Sequence, residues 1–233
     1  MTVELRNVSK KYGSLAALTD VSITFEPGKI YGLIGENGSG KSTTLKLIAG
    51  LVKPDSGEVM VMQESVTRRI AKSVSYMTEL DFFYPMYTVD EMLHYYESQF
   101  ADFNADKAAK MLEMMKLDRT KRIQALSKGY RGRLRLVLAL ARETPVVLLD
   151  EPFSGLDQMV REAIVKSLLS FIDYEHQIVI LTTHEIDEVE TLLDEVAIIK
   201  NGSIIAKEPV EVIHATQGKS IIEWMKSILR TGA

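Results

Sequence analysis

The run GLIGENGSGKSTTL, residues 32–45, restricts the fold more than any other part of the chain. It has the order Gly35-x-x-x-x-Gly40-Lys41-Ser42. The apolar stretch KIYGLI leads into it, and KSTTLKLIAGL follows with apolar positions at helical spacing. A loop of this kind works only between a strand and a helix. Its glycines let the backbone N–H groups of Gly35, Glu36, Asn37, Gly38, Ser39, Gly40, Lys41, Ser42 and Thr43 turn inward, and the positive end of the following helix points at the same place. Inward N–H groups hold phosphates. Lys41 is placed to reach the β and γ phosphates and the Ser42 hydroxyl to ligate Mg2+. The spacing therefore predicts a nucleoside triphosphate site at the end of a buried strand.

The remaining segments fit a sheet built around that strand. TVELRNVSKKY and LTDVSITFEP alternate apolar and polar residues between the breaks at Gly13, Pro27 and Gly28, and SGEVMVM follows the turn KPDSG. In the middle of the chain, Thr88 and Glu91 stand at capping-box spacing, and Ala108, Met111, Leu112 and Met115 share one helical face. PVVLLD, HQIVILTT and DEVAIIK then read as apolar strands with helical patterns among them. Strands alternating with helices predict a parallel sheet with right-handed crossovers, the helical middle being an insertion into it.

Two acidic residues end the strand VVLLD. Asp150 is placed to hold a Mg2+ shell, and Glu151 to orient or deprotonate a water in line with the γ phosphate. Taken alone, LLDEP reads equally as a strand running into a turn; the phosphate loop gives it a specific meaning. His184 closes ILTTH on the same predicted edge, where ligands bind in such sheets, as a structural cap or as a γ-phosphate contact.

QALSKGYRGRLRLVLAL, residues 124–140, gathers Lys128, Arg131, Arg133 and Arg135 around two glycines. It reads either as a polyanion-binding patch or as a helix start that holds one phosphate, Ser127 offering a hydroxyl and Gly129 an approachable N–H. With 28 basic and 32 acidic residues the net charge is −4, which gives no overall pull toward nucleic acid or anionic lipid and favours the second reading. The three arginines are then expected to be solvated or paired with acidic groups. The absence of cysteine excludes disulfides and thiolate metal sites. No apolar run approaches the ~18 residues that span a bilayer, and MTVELRNVSK lacks a signal-peptide core. A cytosolic protein is expected.

In this order, these segments resemble the ATP-binding subunit of ABC transporters over nearly the whole chain. GENGSGKST is similar to that family's Walker A, VVLLDEP to its Walker B, LSKGY to its signature loop, and SGLD to its D-loop. The resemblance implies an α/β P-loop NTPase. A RecA-like parallel core with an N-terminal antiparallel β subdomain would occupy residues 1–79 and 143–233, and an inserted α-helical subdomain residues 80–142, together one domain over 1–233. ATP and Mg2+ are the implied ligands. Tyr12 takes the position that stacks on adenine, Glu151, His184 and Lys41 the catalytic positions, and Ser42, Glu79 and Asp150 the metal positions. The resemblance also implies a head-to-tail dimer, with itself or a related chain, in which Ser127, Lys128, Gly129, Tyr130 and Asp157 of one subunit meet ATP held by the other. A separate membrane permease is the implied partner, holding the chain at the cytoplasmic face.

The chain departs from the family pattern at three positions. Lys128 replaces the glycine that directly follows the serine of the usual LSGGQ, as a γ-phosphate contact or a surface charge, and Tyr130 replaces the glutamine. Signatures with such a lysine resemble those of drug, bacteriocin and peptide exporters, so export of a peptide, drug or lipid-like substrate is expected. Glu79 stands where the family has glutamine, either as a charged metal ligand or as an acid opening a helix. The aromatics Phe82, Phe83, Tyr84 and Tyr87 form either the core of the insertion or a socket for the membrane subunit. SIIEWMKSILR predicts a capped amphipathic helix that packs on its own domain or reaches a second subunit, with no regulatory domain expected beyond it.

Two other readings remain. A soluble scaffold ATPase of the iron–sulfur assembly type would share every motif, whereas a chromosome-maintenance relative needs a coiled coil that the interval from Glu79 to Leu126 is too short to hold. A GTP-dependent switch or small-molecule kinase predicts no LSKGY, and the sequence has no N-K-x-D guanine-reading motif.

Overall fold

In a computed structural model the chain is described over residues 2–231, apart from 81, 82, 155, 157 and 185. Two sheets form the frame. β1 (Val3–Tyr12), β2 (Leu15–Phe25), β4 (Ser56–Val61) and β5 (Glu64–Ser65) make an antiparallel sheet in the order β2-β1-β4-β5. The second sheet contains β3 (Lys29–Ile34), β6 (Val74–Met77), β7 (Val146–Asp150), β8 (Ile178–Thr183), β9 (Glu195–Lys200) and β10 (Ser203–Pro209). Its order is β10-β9-β3-β8-β7-β6, parallel except for β10.

The continuous apolar runs in β7 and β8 are explained by burial on both faces. Val147, Leu149, Val179 and Leu181 point into one core, and Val146, Leu148, Ile178 and Ile180 into the other, which α1 (Lys41–Ile48) and the antiparallel sheet complete. Each such side chain contributes about 1.5–3 kcal/mol relative to exposure.

The first core is shared with the helical middle of the chain, α2 (Val89–Gln99), α3 (Ala105–Met114) and α4 (Lys128–Leu140). Met92, Met111 and Leu134 join the cluster that holds Leu149 and Ile164 of α5 (Gln158–Phe171), so the insertion rests on the sheet rather than on a core of its own. Local chemistry sets its boundaries. Thr88 and Glu91 form both halves of the capping box of α2, and Asn104 caps α3 through the Lys107 N–H. Arg142, just past α4, fastens the insertion to the sheet. It donates twice to the Asp102 carboxylate, at 2.8 and 2.6 Å, and also to the carbonyls of Ala71 and Val74. After α6 (Val210–Gln217), the described residues close with α7 (Ile221–Thr231), where Glu223 Oε2 accepts from the Ser220 N–H.

Strand register delivers the site. Ile34 pairs with Thr183, Asp150 with Thr182, and Met77 with Leu149, so β3, β6, β7 and β8 end at one edge. The phosphate loop, both acidic residues, His184 and Glu79 all leave the sheet there.

Candidate functional site

The phosphate loop takes the shape its sequence demands. Gly40, the residue before α1, has φ +114°, and a Cβ on it would lie 2.6 Å from Leu18 Cδ2. A Cβ on Gly35 would lie 2.3 Å from the Ile199 carbonyl oxygen, so neither glycine is replaceable without moving backbone. Lys41 is buried. Its Nζ donates to the carbonyls of Gly35 at 2.8 Å and Glu36 at 3.1 Å and lies 3.6 Å from Glu151 Oε1. The lysine thus bridges the loop and the acid.

Asp150 is buried and accepts three hydrogen bonds, from Ser42 Oγ at 2.9 Å, Thr182 Oγ1 at 2.8 Å and Tyr76 Oη at 3.0 Å. Burial holds the Tyr76 phenol well above its ordinary range, which keeps it a donor. The same Thr182 hydroxyl accepts from the Glu151 N–H at 3.0 Å. Glu151 itself has φ +48°, a left-handed conformation that costs on the order of 1–3 kcal/mol for such a residue. Its carboxylate meets His184 Nδ1 at 2.8 Å. Lys41, Glu151 and His184 therefore form one connected polar group, and strain sits at the residue that would act on water.

These groups open into a cleft of about 600 Å³. Tyr12, Glu79, Lys41, Ser42, Glu151, Ser154 and His184 line it, together with Asn37, Gly38, Gly40 and Thr43. The cleft thus unites residues from five separate stretches of sequence. Tyr12 is exposed at its rim, at the end of β1. A smaller cavity of about 220 Å³ lies behind the loop against Met225 and Leu229; it shares His184 with the cleft but holds neither Lys41 nor Glu151.

The donors suit a hard cation. Ser42 Oγ and Asp150 Oδ1 are in direct contact, and Glu79 adds a carboxylate to the same cleft. Among the described residues no cluster of three His, Cys, Asp or Glu side chains stands ready to hold a metal alone. An ion that keeps its waters and shares itself with phosphates needs no such cage.

The signature residues are not in the cleft. Ser127 caps α4, its hydroxyl accepting from the Tyr130 N–H at 3.3 Å, with Lys128 and Tyr130 exposed beside it. A Cβ on Gly129 would meet nothing nearer than 3.9 Å, whereas one on Gly132 would press on Leu156 at 3.3 Å. Asp157 lies outside the described residues. The arginines of this helix do not stand as merely solvated positions. Arg131 donates to the Leu126 carbonyl, Arg133 to that of Met115, and Arg135 to those of Thr78 and Glu79.

The aromatic run divides. Phe83 and Tyr87 pack against the core, while Tyr84 is exposed with Leu80 and Met86 and stacks near Tyr87 and Tyr95 at 5.0 and 5.3 Å. Phe82 lies outside the described residues. Sequence reasoning overlooked Tyr76 and Thr182. The only signal for Thr182 is a polar pair closing an apolar strand, and Tyr76 carries none.

The family described as ABC transporter matches residues 18–154. The Nod factor export ATP-binding protein I of Burkholderia orbicola (strain AU 1054) is 34% identical over 95% of this chain and 75% of its own length. The probable sulfate/thiosulfate import ATP-binding protein CysA of Chlorella vulgaris is also 34% identical, over 88% of this chain and 90% of its own. Among solved structures, one described as an ATP binding subunit of an ABC transporter superposes with a TM-score of 0.86 at 25% identity, covering 98% of this chain and all of the other.

Proposed function

The chain belongs to the ABC transporter ATP-binding family, and from that premise we propose that it is the ATP-hydrolysing motor of an exporter, acting as a dimer on a separate permease. Binding and hydrolysis of ATP follow from the family. The roles of individual residues, the dimer and the direction of transport are our reading.

ATP enters the cleft with adenine on Tyr12 and its phosphates on the loop amides and the positive end of α1. Lys41 exchanges the carbonyls of Gly35 and Glu36 for β- and γ-phosphate oxygens. Ser42, Asp150 and Glu79 would hold Mg2+, which neutralises charge on the phosphates when bound. Glu151 accepts the proton of the attacking water, and His184, already bonded to Glu151, contacts the γ phosphate.

The observation that carries the dimer is Gly129. Among the described residues nothing requires a glycine there, since a Cβ would find ordinary space. A glycine at the exposed start of a helix, next to a hydroxyl, suits a phosphate arriving from another subunit. Closure around two ATP molecules, with stretch 80–142 acting as the helical unit that carries this clamp, would then drive the permease. The exposed Leu80, Tyr84 and Met86 are the proposed contact with it. Among the described residues no helix is long and apolar enough to cross a membrane, so the membrane-spanning path is assigned to that partner. Export rests on Lys128, Glu79 and the likeness to the Nod factor exporter subunit; the import relative is equally similar by identity.

The test is membrane fractionation after co-expression with a candidate permease. Co-expression should carry the chain to membranes, stimulate its ATPase activity and load inside-out vesicles with substrate on adding MgATP. An ATPase that ignores the permease supports the scaffold reading, and loading of right-side-out vesicles supports import.

A further inference from the structure

Arg135 lies in α4, eight residues and about 12 Å of helix beyond Ser127. Its Nη1 donates to the main-chain carbonyls of Thr78, at 3.2 Å, and Glu79. Those two residues continue β6, whose Tyr76 donates its hydroxyl to Asp150 Oδ2 at 3.0 Å. Residues 76–79 therefore span from the metal-side carboxylate at one end to the clamp helix at the other. α4 is held on two further sides at this point, where Arg133 donates to the Met115 carbonyl and Gly132 admits Leu156. A shift of the helix relative to the sheet pulls on Thr78 and Glu79 through a charge-assisted pair of hydrogen bonds.

We infer that Arg135 is a positioning residue which ties the clamp helix to the Thr78–Glu79 backbone, so that closure at Ser127 and placement of Glu79 beside Asp150 occur together. The inference rests on the proposed reading of Ser127 as a trans contact and of Asp150 and Glu79 as metal-side groups. Arg135 touches no reacting atom in this scheme. Both bonds leave one nitrogen, so Lys, which also offers several N–H groups on one nitrogen but on a shorter stem, is a partial substitute.

The discriminating readout is the Mg2+ concentration that half-saturates ATP hydrolysis. Arg135→Gln should raise it about tenfold, as expected for losing a charge-assisted hydrogen bond, and Arg135→Lys should restore it only in part. Binding of a fluorescent ATP analogue in EDTA should not change, because the phosphate loop is untouched. Tyr76→Phe should raise the same Mg2+ requirement, and the double variant Tyr76→Phe/Arg135→Gln should exceed the larger single effect by less than the product of the two. Asp150→Asn serves as the control. If Asp150→Asn shifts the Mg2+ requirement while both Arg135 variants match the wild type, the inference is wrong and the metal-site reading survives. If Asp150→Asn shifts nothing, the metal-site reading fails and the inference falls with it. Fully multiplicative effects of Tyr76→Phe and Arg135→Gln would also overturn the link. Arg135→Lys keeps the test valid should Arg135→Gln fold poorly.

Discussion

Replacing Glu151 by glutamine removes a charge from a buried site while keeping its shape, and the structure fixes what should follow. The carboxylate meets His184 at 2.8 Å and stands 3.6 Å from the Lys41 ammonium. An amide still fills the space, still accepts one hydrogen bond and leaves the Thr182 contact to the Glu151 N–H intact, since that bond is to backbone. What it loses is the ability to take a proton from water. General-base catalysis contributes typically 10²–10⁴-fold, so the barrier should rise by about 3–5 kcal/mol. ATP affinity should move the other way. Glu151 competes with phosphate for Lys41 and repels the γ phosphate, so Glu151→Gln should bind ATP as tightly as the wild type or tighter. Single-turnover hydrolysis of labelled ATP gives the rate, and equilibrium binding of a fluorescent analogue gives the affinity. A Glu151→Gln protein that hydrolyses within a factor of ten of the wild type would remove Glu151 from the role of base. A hundredfold loss of ATP affinity would show instead that the charge organises the loop.

Ser127→Arg should abolish steady-state hydrolysis while ATP still binds a single chain, because Ser127 lies outside its own cleft; normal turnover in this variant would end the trans-clamp reading. Asp102→Ala strips the buried Arg142 of its bidentate, partly exposed partner, which should cost about 2–3 kcal/mol and lower the Tm by roughly 5–10 °C in a thermal scan. An unchanged Tm would mean that the insertion is not fastened there. Burial holds the Lys107 ammonium below its usual pKa of 10.5, against the opposing pull of Glu143 and Asp173. Its cost to folding is full below that lowered pKa and fades as pH climbs to 10.5. Lys107→Met should therefore raise the urea midpoint at pH 7 and lose that gain near pH 10.5; a gain that stays constant with pH would contradict the assignment.

What the sequence carried legibly was periodic or local. The continuous apolar runs of VVLLD and IVILTT marked strands buried on two faces, and β7 and β8 are buried along their whole length. Thr88 with Glu91 located a helix start to the residue, since the capping box is a contact between neighbours in sequence. The phosphate loop was readable because its glycines, lysine and serine act within one turn of chain. Tyr76 and Thr182 were not readable, because their meeting at Asp150 depends on how β6, β7 and β8 are registered side by side. The backbone contacts of the α4 arginines were hidden for a related reason, since a carbonyl belongs to every residue and no sequence pattern marks it. The left-handed backbone of Glu151 was equally hidden, as the residue type argues against it.

In the proposed dimer, each ATP cavity is completed by the other chain. The most direct measurement is specific ATPase activity across a dilution series, with the monomer fraction followed by light scattering in the same samples. Activity per chain should fall toward zero as dimers disappear and should return when the protein is concentrated again. Activity per chain that stays constant into the range where only monomers scatter would contradict it.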